Sequence, residues 1–224
     1  MLKIQSLSKA YSKKSILKNV SFQIQQGEII GLVGENGAGK STLLHILATI
    51  LKPSSGTITF NEQVYSRKSL GKFRKQIGFV PQEVAIWDQF TVEENMLFFE
   101  KLSWKKKSKE QLRQLCLDVK LDKWKESVHT LSGGMKRKLN LAISLIHEPS
   151  LLLLDEPTVG IDLKSKQEIA SYLKKLAKEK GLTIVYISHD MDEIINLCDR
   201  IFSLGEDPFY YEFLTKLDKE VIPL

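Results

Sequence analysis

A glycine-rich run followed by a lysine and a serine is the part of this sequence whose residue types and spacing most clearly suggest chemistry. Residues 34–41 read GENGAGKS, between a short apolar run at 28–33 and a segment of helical periodicity that begins at Lys40. Such glycines let successive backbone N–H groups face one anion, and the helix start adds the positive end of its dipole. The lysine can reach the outer phosphates of a nucleotide, and the Ser41 hydroxyl can ligate Mg²⁺. The residues expected to bind the nucleotide here are Gly34, Glu35, Asn36, Gly37, Ala38, Gly39, Lys40, Ser41 and Thr42.

Two carboxylates and a histidine follow buried strands further along the chain. LLLLDE at 151–156 ends in Asp155 and Glu156, and ISHD at 187–190 contains His189. Ligands of open α/β sheets lie at the carboxyl ends of the strands, which is where all three side chains would sit. We expect Asp155 to hold Mg²⁺ through water, Glu156 to polarise an attacking water, and a neutral His189 to hydrogen-bond the γ-phosphate.

Gln82 and Tyr11 are weaker candidates, which become plausible only because the motifs described above accompany them. Gln82 follows the strand-like run IGFVP at 77–81, so its amide could reach Mg²⁺ or the attacking water. Tyr11 lies in a polar turn between the first two predicted strands. Its ring could stack on adenine, because aromatic faces stack on bases. The alternative for Tyr11 is an ordinary exposed turn residue.

A second glycine pair stands at the start of another predicted helix, in the run LSGGM at 131–135. We expect Ser132 to cap that helix, and Gly133 and Gly134 to let a phosphate approach backbone N–H groups with no Cβ in the way. The apolar stripe of the helix is predicted to be Met135, Leu139, Ala142, Ile143 and Ile146, with Lys136, Arg137 and Lys138 mostly on its solvated side.

The elements that must position these residues alternate between strands and helices. Residues 1–7, 18–24, 27–34, 56–60, 77–81, 151–157 and 182–190 have strand patterns, and 40–51 and 161–181 have helical ones. Such alternation predicts a parallel sheet covered by helices on both faces. From about 83 to 149 the pattern is helical, with a capping box at Thr91 and Glu94, and it interrupts the α/β core.

Composition excludes several classes of protein. The 224 residues carry a net charge of +6 and only two cysteines, without a CxxC pair, so neither a disulfide framework nor a zinc site is expected. No apolar run approaches the length of a transmembrane helix, and no signal-peptide pattern opens the chain. The basic charge favours nucleic acid or anionic lipid in principle. The dispersed lysines, without interleaved aromatic residues, favour a solvated surface instead.

Together these motifs resemble the ATP-binding cassette family, in its transporter nucleotide-binding subunits. The resemblance runs from Tyr11 to about 205, with GENGAGKS as Walker A, LLLLDE as Walker B and Gln82 in the Q-loop. LSGG matches the family's C-loop, PTVGID at 157–162 its D-loop with Asp162, and His189 its switch histidine. It implies a P-loop NTPase core of α/β class, with a mostly parallel sheet, an N-terminal antiparallel β subdomain and an inserted helical subdomain.

The resemblance also implies a mechanism and partners. Two such subunits pair head to tail, each ATP lying between the Walker A of one and Ser132, Gly133 and Gly134 of the other. Closure would drive a separate membrane permease, and ATP hydrolysis would reopen the dimer. ATP and Mg²⁺ are the implied cofactors, with Ser41, Gln82 and Asp155 around the metal. The expected location is the cytoplasm, at the inner face of the cell membrane, with no nucleic acid partner.

Within the family, LSGGMKRKL with EPTVGID is most similar to the branch that serves two-component exporters of drugs, polysaccharides, lantibiotics or sodium. A soluble cassette protein acting on ribosomes or nucleic acid is the alternative, and a scaffold that does not hydrolyse ATP is a third. Trp87 and Phe90 follow the Q-loop, where they either contact the permease or pack inside the helical subdomain.

The chain departs from the family pattern in two places. Met135 stands where glutamine is commoner, which removes a side-chain amide but leaves Ser132 and the backbone in place. The tail at 207–224 replaces the usual short strands, and Phe209, Phe213, Leu214 and Leu217 have helical spacing. We expect one domain over 1–224, with the core at 1–82 and 150–206, the helical subdomain at 83–149, and a tail helix that either docks on the domain or contacts a partner.

Overall fold

The computed structural model describes residues 1–12 and 14–224 and contains two sheets. The strands are β1 (Leu2–Tyr11), β2 (Lys14–Ile24), β3 (Ile29–Val33), β4 (Ser55–Phe60), β5 (Gln63–Val64), β6 (Ile77–Val80), β7 (Leu151–Asp155), β8 (Thr183–Ile187), β9 (Arg200–Ser203) and β10 (Val221–Pro223). The helices are α1 (Lys40–Leu47), α2 (Leu70–Arg74), α3 (Val92–Leu102), α4 (Lys109–Asp118), α5 (Gly133–Ser144), α6 (Leu163–Lys180), α7 (Met191–Leu197) and α8 (Phe209–Thr215).

One sheet is antiparallel and the other parallel, as expected for the predicted fold class. The antiparallel sheet has the order β2-β1-β4-β5, and the parallel sheet has the order β10-β9-β3-β8-β7-β6. Two of the five neighbouring pairs in the parallel sheet, β9–β3 and β3–β8, join strands that are not consecutive in the chain, and every parallel pair needs a crossover connection. The sheet order therefore brings together the ends of strands that lie far apart in the chain.

Two hydrophobic cores lie on opposite faces of the parallel sheet. Alternate residues of β7 belong to different cores: Leu151 and Leu153 pack with α1 and the antiparallel sheet, whereas Leu152 and Leu154 pack with the helices on the other face. All four leucines are at most 1% exposed. A strand buried on both faces needs an unbroken apolar run, which explains why LLLL shows no alternation of polar and apolar residues.

Several helix ends lie where capping residues in the sequence predicted them. Thr91 caps α3, its Oγ1 accepting a hydrogen bond from Glu94 N at 3.1 Å while Glu94 Oε2 accepts one from Thr91 N at 2.7 Å. Gly181 follows α6 in the left-handed region, at φ 63°, which glycine adopts without a Cβ penalty. The predicted helix at 40–51 is shorter than expected, since α1 ends at Leu47 and Ile50 is 57% exposed.

The tail at 207–224 packs on the domain, but only one of the four apolar residues at helical spacing is buried. Leu214 is fully buried, whereas Phe209, Phe213 and Leu217 remain exposed. Beyond α8 the chain adds β10 to the parallel sheet, Val221 pairing with Ile201. This terminal strand was not predicted, because three residues ending in a proline carry almost no strand signal. No helix among residues 1–12 and 14–224 is long and apolar enough to cross a bilayer.

The tail packing gives a first prediction. Leu214→Ala should lower the free energy of unfolding by about 3 kcal/mol, because it removes a fully buried side chain from the core. Phe213→Ala is the matched control on the same helix, and should cost about 1 kcal/mol or less, since it mainly loses the stacked contact with Phe209. Urea denaturation of both variants measures the difference. Equal losses would mean that α8 does not dock through Leu214.

Candidate nucleotide-binding site

The glycine-rich run forms a loop between β3 and α1. Gly34, Gly37 and Gly39 have φ of 145°, 87° and 101°, conformations that L side chains rarely adopt. A Cβ on Gly34 would also lie 2.1 Å from the Leu204 carbonyl oxygen. Gly39 directly precedes α1 and has no side chain to cap it. The first N–H groups of the helix are therefore left for an anion, as expected of a phosphate cradle.

The Lys40 side chain folds back over its own loop. Its Nζ donates hydrogen bonds to the carbonyl oxygens of Gly34 at 2.8 Å and Glu35 at 3.0 Å. The residue is 7% exposed. Burial lowers the pKa of Lys40, whereas the nearby carboxylates of Glu156, Asp155 and Glu35 act in the opposite direction. The ammonium group thus lies over the phosphate cradle with carboxylates around it.

Asp155 and Ser41 meet beneath this cradle. Ser41 Oγ donates a hydrogen bond to Asp155 Oδ1 at 3.4 Å, and Asp155 is 5% exposed at the end of β7. Burial raises the pKa of Asp155, and the hydrogen bond from Ser41 partly offsets that effect. No three His, Cys, Asp or Glu side chains form a metal-binding group in the described part of the chain. A cation bound here would therefore depend on this hydroxyl–carboxylate pair and on oxygens of a bound nucleotide or water.

Glu156 lies between Gln82 and His189, the three residues predicted to act on the attacking water. Its Oε2 accepts a hydrogen bond from Gln82 Nε2 at 3.2 Å, and its Oε1 lies 3.0 Å from His189 Nε2. The Glu156 backbone is in the left-handed region, at φ 48°, which is uncommon for a residue with a side chain and often marks functional sites. The three side chains meet although their positions in the sequence are far apart.

A cleft of about 600 Å³ unites most of the predicted residues. Tyr11 lies at its edge, 46% exposed, with Lys9 Nζ 4.8 Å from the ring centroid. The residues that line the cleft are Tyr11, Lys14, Ile16, Asn36, Gly37, Gly39, Lys40, Ser41, Thr42, Gln82, Glu156 and His189. Lys14 and Ile16 were missed by sequence reasoning, because nothing distinguishes them from other residues of an amphipathic strand. Their only signal was closeness in sequence to Tyr11.

Ser132 and its two glycines do not line this cleft. Ser132 caps α5 as predicted, its Oγ accepting a hydrogen bond from Met135 N at 3.3 Å. Gly133 is exposed, and a Cβ on it would come no closer than 3.8 Å to another atom. A Cβ on Gly134, by contrast, would lie 2.4 Å from Ser165 Oγ and 2.8 Å from Ser165 Cβ. Only Gly133 therefore keeps the expected open approach, whereas Gly134 is required for packing.

Asp162 explains why Gly134 is so tightly packed. It caps α6, accepting hydrogen bonds from Ser165 N at 2.9 Å and from Ser165 Oγ at 2.7 Å. These hydrogen bonds lower the pKa of Asp162. The first turn of α6 then lies directly against the start of α5, so the LSGG and PTVGID segments touch within one chain.

The prediction that Arg137 and Lys138 lie on the solvated side of α5 is wrong. They are only 8% and 5% exposed, and Lys136 is half-buried. The Arg137 guanidinium donates a hydrogen bond to the backbone oxygen of Gln82, and Lys138 forms an ion pair with Glu168. Long basic side chains can bury their stems when the charged end finds a partner, a possibility that a helical wheel does not show.

Comparison with known proteins identifies the family. The model of the ABC transporter family matches residues 17–159, which is more than half of the chain. The chain belongs to the ABC transporter family. It is 38% identical over 221 residues to the lantibiotic transport ATP-binding protein SrtF of Streptococcus pyogenes, covering 98% of this chain and 91% of SrtF. The family and the fold class predicted from the motifs are thus confirmed.

A second relative and a solved structure agree with this membership. The linearmycin resistance ATP-binding protein LnrL of Bacillus subtilis is 41% identical over 207 residues, which cover 90% of this cassette chain but less than two thirds, 65%, of LnrL. The dimeric structure of MJ0796, a bacterial ABC transporter cassette, superposes with a TM-score of 0.81 at 28% identity, covering 91% of this chain and 94% of MJ0796.

The different surroundings of the two glycines give a second prediction. Gly134→Ala should lower the free energy of unfolding by about 2 kcal/mol, because the new methyl group overlaps Ser165 and the α5–α6 contact must shift. Gly133→Ala should leave stability unchanged or raise it by about 0.5 kcal/mol, since the methyl group points into open space. Urea denaturation compares the two variants, and the opposite order would contradict this division of roles.

Proposed function

We propose that this cassette is the ATP-hydrolysing subunit of an ABC transporter, of the exporter type. The observation that carries the proposal is the Glu156 carboxylate, held between Gln82 and His189 at the edge of the phosphate cradle. Phosphoryl transfer to water depends mainly on positioning and charge stabilisation, and this arrangement supplies both. Intact Lys40 and Asp155 argue against a scaffold that binds ATP without hydrolysing it.

Each residue has a role in the proposed reaction. The backbone N–H groups of 34–42 bind the phosphates together with Lys40, and Tyr11 stacks on adenine. Glu156 orients the attacking water and accepts its proton, while His189 and Gln82 hold the Glu156 carboxylate and face the γ-phosphate. Ser41, Gln82 and Asp155 would hold Mg²⁺, which when bound neutralises charge developing on the phosphate oxygens.

A head-to-tail dimer is the second part of the proposal. Ser132 and Gly133 cannot serve the cleft of their own chain, since they do not line it. They nevertheless form an exposed helix start with an open glycine, which suits an anion brought by a second subunit. The related cassette MJ0796 has been solved as a dimer, including a post-hydrolysis state bound to ADP and Pi.

A separate membrane permease is the proposed partner, with the cassette at the inner face of the membrane. Trp87 and Phe90 are 48% and 36% exposed, which favours contact with a partner over burial in the helical subdomain. Their rings lie 6.1 Å apart, forming a surface next to the Q-loop. Relatives named for lantibiotic transport, linearmycin resistance and Nod factor export support the exporter assignment. The substrate of this chain would be chosen by the permease.

The net charge of +6 is the one observation that favours the alternative, a soluble cassette acting on ribosomes or nucleic acid. Cell fractionation separates the two functions. Recovery with membranes and a permease supports the transporter, whereas cosedimentation with ribosomes supports the alternative.

Replacement of the proposed base gives a third prediction. Glu156→Gln should reduce phosphate release by about 10²-fold or more, because the amide cannot take the proton of water. ATP binding should persist, so the variant should accumulate as an ATP-bound dimer on size-exclusion chromatography with Mg²⁺. Glu83→Gln, at an exposed position nearby, removes the same charge and should turn over ATP within about twofold of wild type. Normal turnover in Glu156→Gln would remove this residue as the base.

The exposed aromatic pair gives a fourth prediction. Trp87→Ala should abolish recovery of the permease with the tagged cassette from detergent-solubilised membranes, because large aromatic side chains are common energetic hot spots of interfaces. Trp104→Ala is the matched control: this residue is 53% exposed, and its indole N–H donates a hydrogen bond to Lys75 O at 3.2 Å, at the end of β6 opposite the Q-loop. Loss of the permease in both variants, or in neither, would argue against Trp87 as the contact.

A further inference from the structure

The carboxylate of Glu193 binds three hydroxyl groups that come from different segments of the chain. Its Oε2 accepts hydrogen bonds from Thr158 Oγ1 at 2.7 Å, Tyr186 OH at 2.9 Å and Ser188 Oγ at 3.0 Å. Thr158 belongs to the turn after β7, Tyr186 to β8, and Ser188 to the loop that leaves β8. We call these four residues the Glu193 cluster. One oxygen atom thus joins the loops that follow two neighbouring strands.

A lysine balances the charge of this cluster. Lys166 Nζ lies 3.1 Å from Glu193 Oε1 and 2.8 Å from Asp190 Oδ2. The hydrogen bond to Asp190, with help from Glu193, raises the pKa of Lys166, and the same ion pair lowers the pKa of Asp190. Burial and the adjacent carboxylate raise the pKa of Tyr186, so its hydroxyl remains a donor. Glu193 Oε2 therefore has three hydroxyl donors, whereas the buried Oε1 has the ion-pair contact with Lys166 and no hydrogen bond.

Both residues that flank His189 are held by this arrangement. Ser188 Oγ donates a hydrogen bond to Glu193, and Ser188 Oγ also accepts a hydrogen bond from Asp190 N at 3.0 Å. Asp190 in turn caps α7 through the N–H groups of Asp192 and Glu193. The His189 side chain itself is 43% exposed, so surrounding packing does little to fix its ring. The backbone on either side therefore helps to set its position, together with the contact to Glu156.

The same carboxylate also holds the turn that begins at the proposed base. Thr158 comes two residues after Glu156, and its buried hydroxyl, in a residue 3% exposed, is bound to Glu193. If Glu193 only favoured the start of α7, its oxygens would face the N–H groups of that helix. Instead, Oε2 faces hydroxyls of other segments, and Oε1 faces Lys166 Nζ. The geometry suits a link between the two catalytic loops.

We propose that Glu193 is a positioning residue, which keeps the loop of His189 against the loop of Glu156 and so maintains the 3.0 Å contact between His189 Nε2 and Glu156 Oε1. Glu193 does not line the cleft, and it acts through His189. The inference rests on the proposed ATP hydrolysis, because the contact that it protects belongs to that reaction.

A double-mutant cycle tests the inference. In the wild-type background, Glu193→Gln should lower kcat for ATP between tenfold and about 100-fold, the range expected when a catalytic group moves by about 1 Å. KM should stay within about twofold, since the phosphate cradle and Tyr11 are untouched. In a His189→Ala background the same substitution should change kcat by less than about twofold, because its effect passes through His189. Equal losses in both backgrounds would overturn the proposal.

Two further variants protect the test against simple misfolding. Asp192→Asn removes a negative charge from the preceding position of the same helix, where the side chain is exposed, and should leave kcat within about twofold of wild type. Thr158→Val removes one donor while keeping the shape and the Glu193 carboxylate, and should lower kcat in a His189-dependent way. A loss of kcat in Thr158→Val that persists in the His189→Ala background would contradict the proposal.

A spectroscopic measurement does not depend on turnover. The ring signals of His189, assigned by their absence in His189→Ala, should shift in Glu193→Gln and stay unchanged in Asp192→Asn. Hydrolysis by the wild type together with unchanged kcat and unchanged His189 signals in Glu193→Gln would overturn this inference alone. Absence of hydrolysis by the wild-type chain, paired with its permease, would overturn the proposed function and this inference with it.

Discussion

The order of four parallel strands is the constraint on which the rest of the site depends. β7 lies between β8 and β6, and β3 lies on the far side of β8. Neighbouring strands are only about 4.8 Å apart, so loops that leave adjacent strands at the same edge must meet. Glu156, which follows the middle strand β7, therefore reaches His189 after β8 and Gln82 after β6. The phosphate cradle follows β3, one strand further along. The sheet order therefore brings these loops to one edge, and contacts between the loops complete the site.

The first turn of α6 links this site to the surface proposed to meet a second subunit. Ser165 packs where a Cβ on Gly134 would lie, and the next residue, Lys166, binds Asp190 and Glu193 beside His189. A shift at the start of α5 would displace Ser165 first, and through it the ion pairs of Lys166. The helix cap Asp162 holds that turn in place. If LSGG binds the ATP of a partner subunit, as proposed, that ATP would contact a helix start that packs on the first turn of α6. The same turn supports the residues proposed to act in hydrolysis.

Sequence reasoning succeeded where a local signal and a strand end coincided. The glycine-rich loop, the cap at Thr91 and the helix end at Gly181 depend on residues close in sequence, and the structure has all three. It failed where long-range packing decides the outcome. Arg137 is buried because the backbone oxygen of Gln82, 55 residues away, accepts its hydrogen bond. Gly134 is needed because α6 crosses α5 at that point. The Glu193 cluster could not be foreseen, since its hydroxyls come from segments that meet only in the folded sheet.

The buried charges of Lys40 and Asp155 are better explained by ligand binding than by a contribution to the stability of the fold. Burial lowers the pKa of Lys40 and raises that of Asp155, so the surroundings disfavour the charged form of each. Backbone carbonyl oxygens hold the ammonium, and a single hydroxyl holds the carboxylate. Bound phosphate oxygens would place full negative charge near Lys40, where now there are only carbonyl dipoles. A bound cation would place positive charge next to the Asp155 carboxylate. Each such ligand would offset the part of the desolvation cost that the contacts within the protein leave. If nucleotide and cation bind as proposed, the residues whose burial costs stability in the protein alone would strengthen the complex.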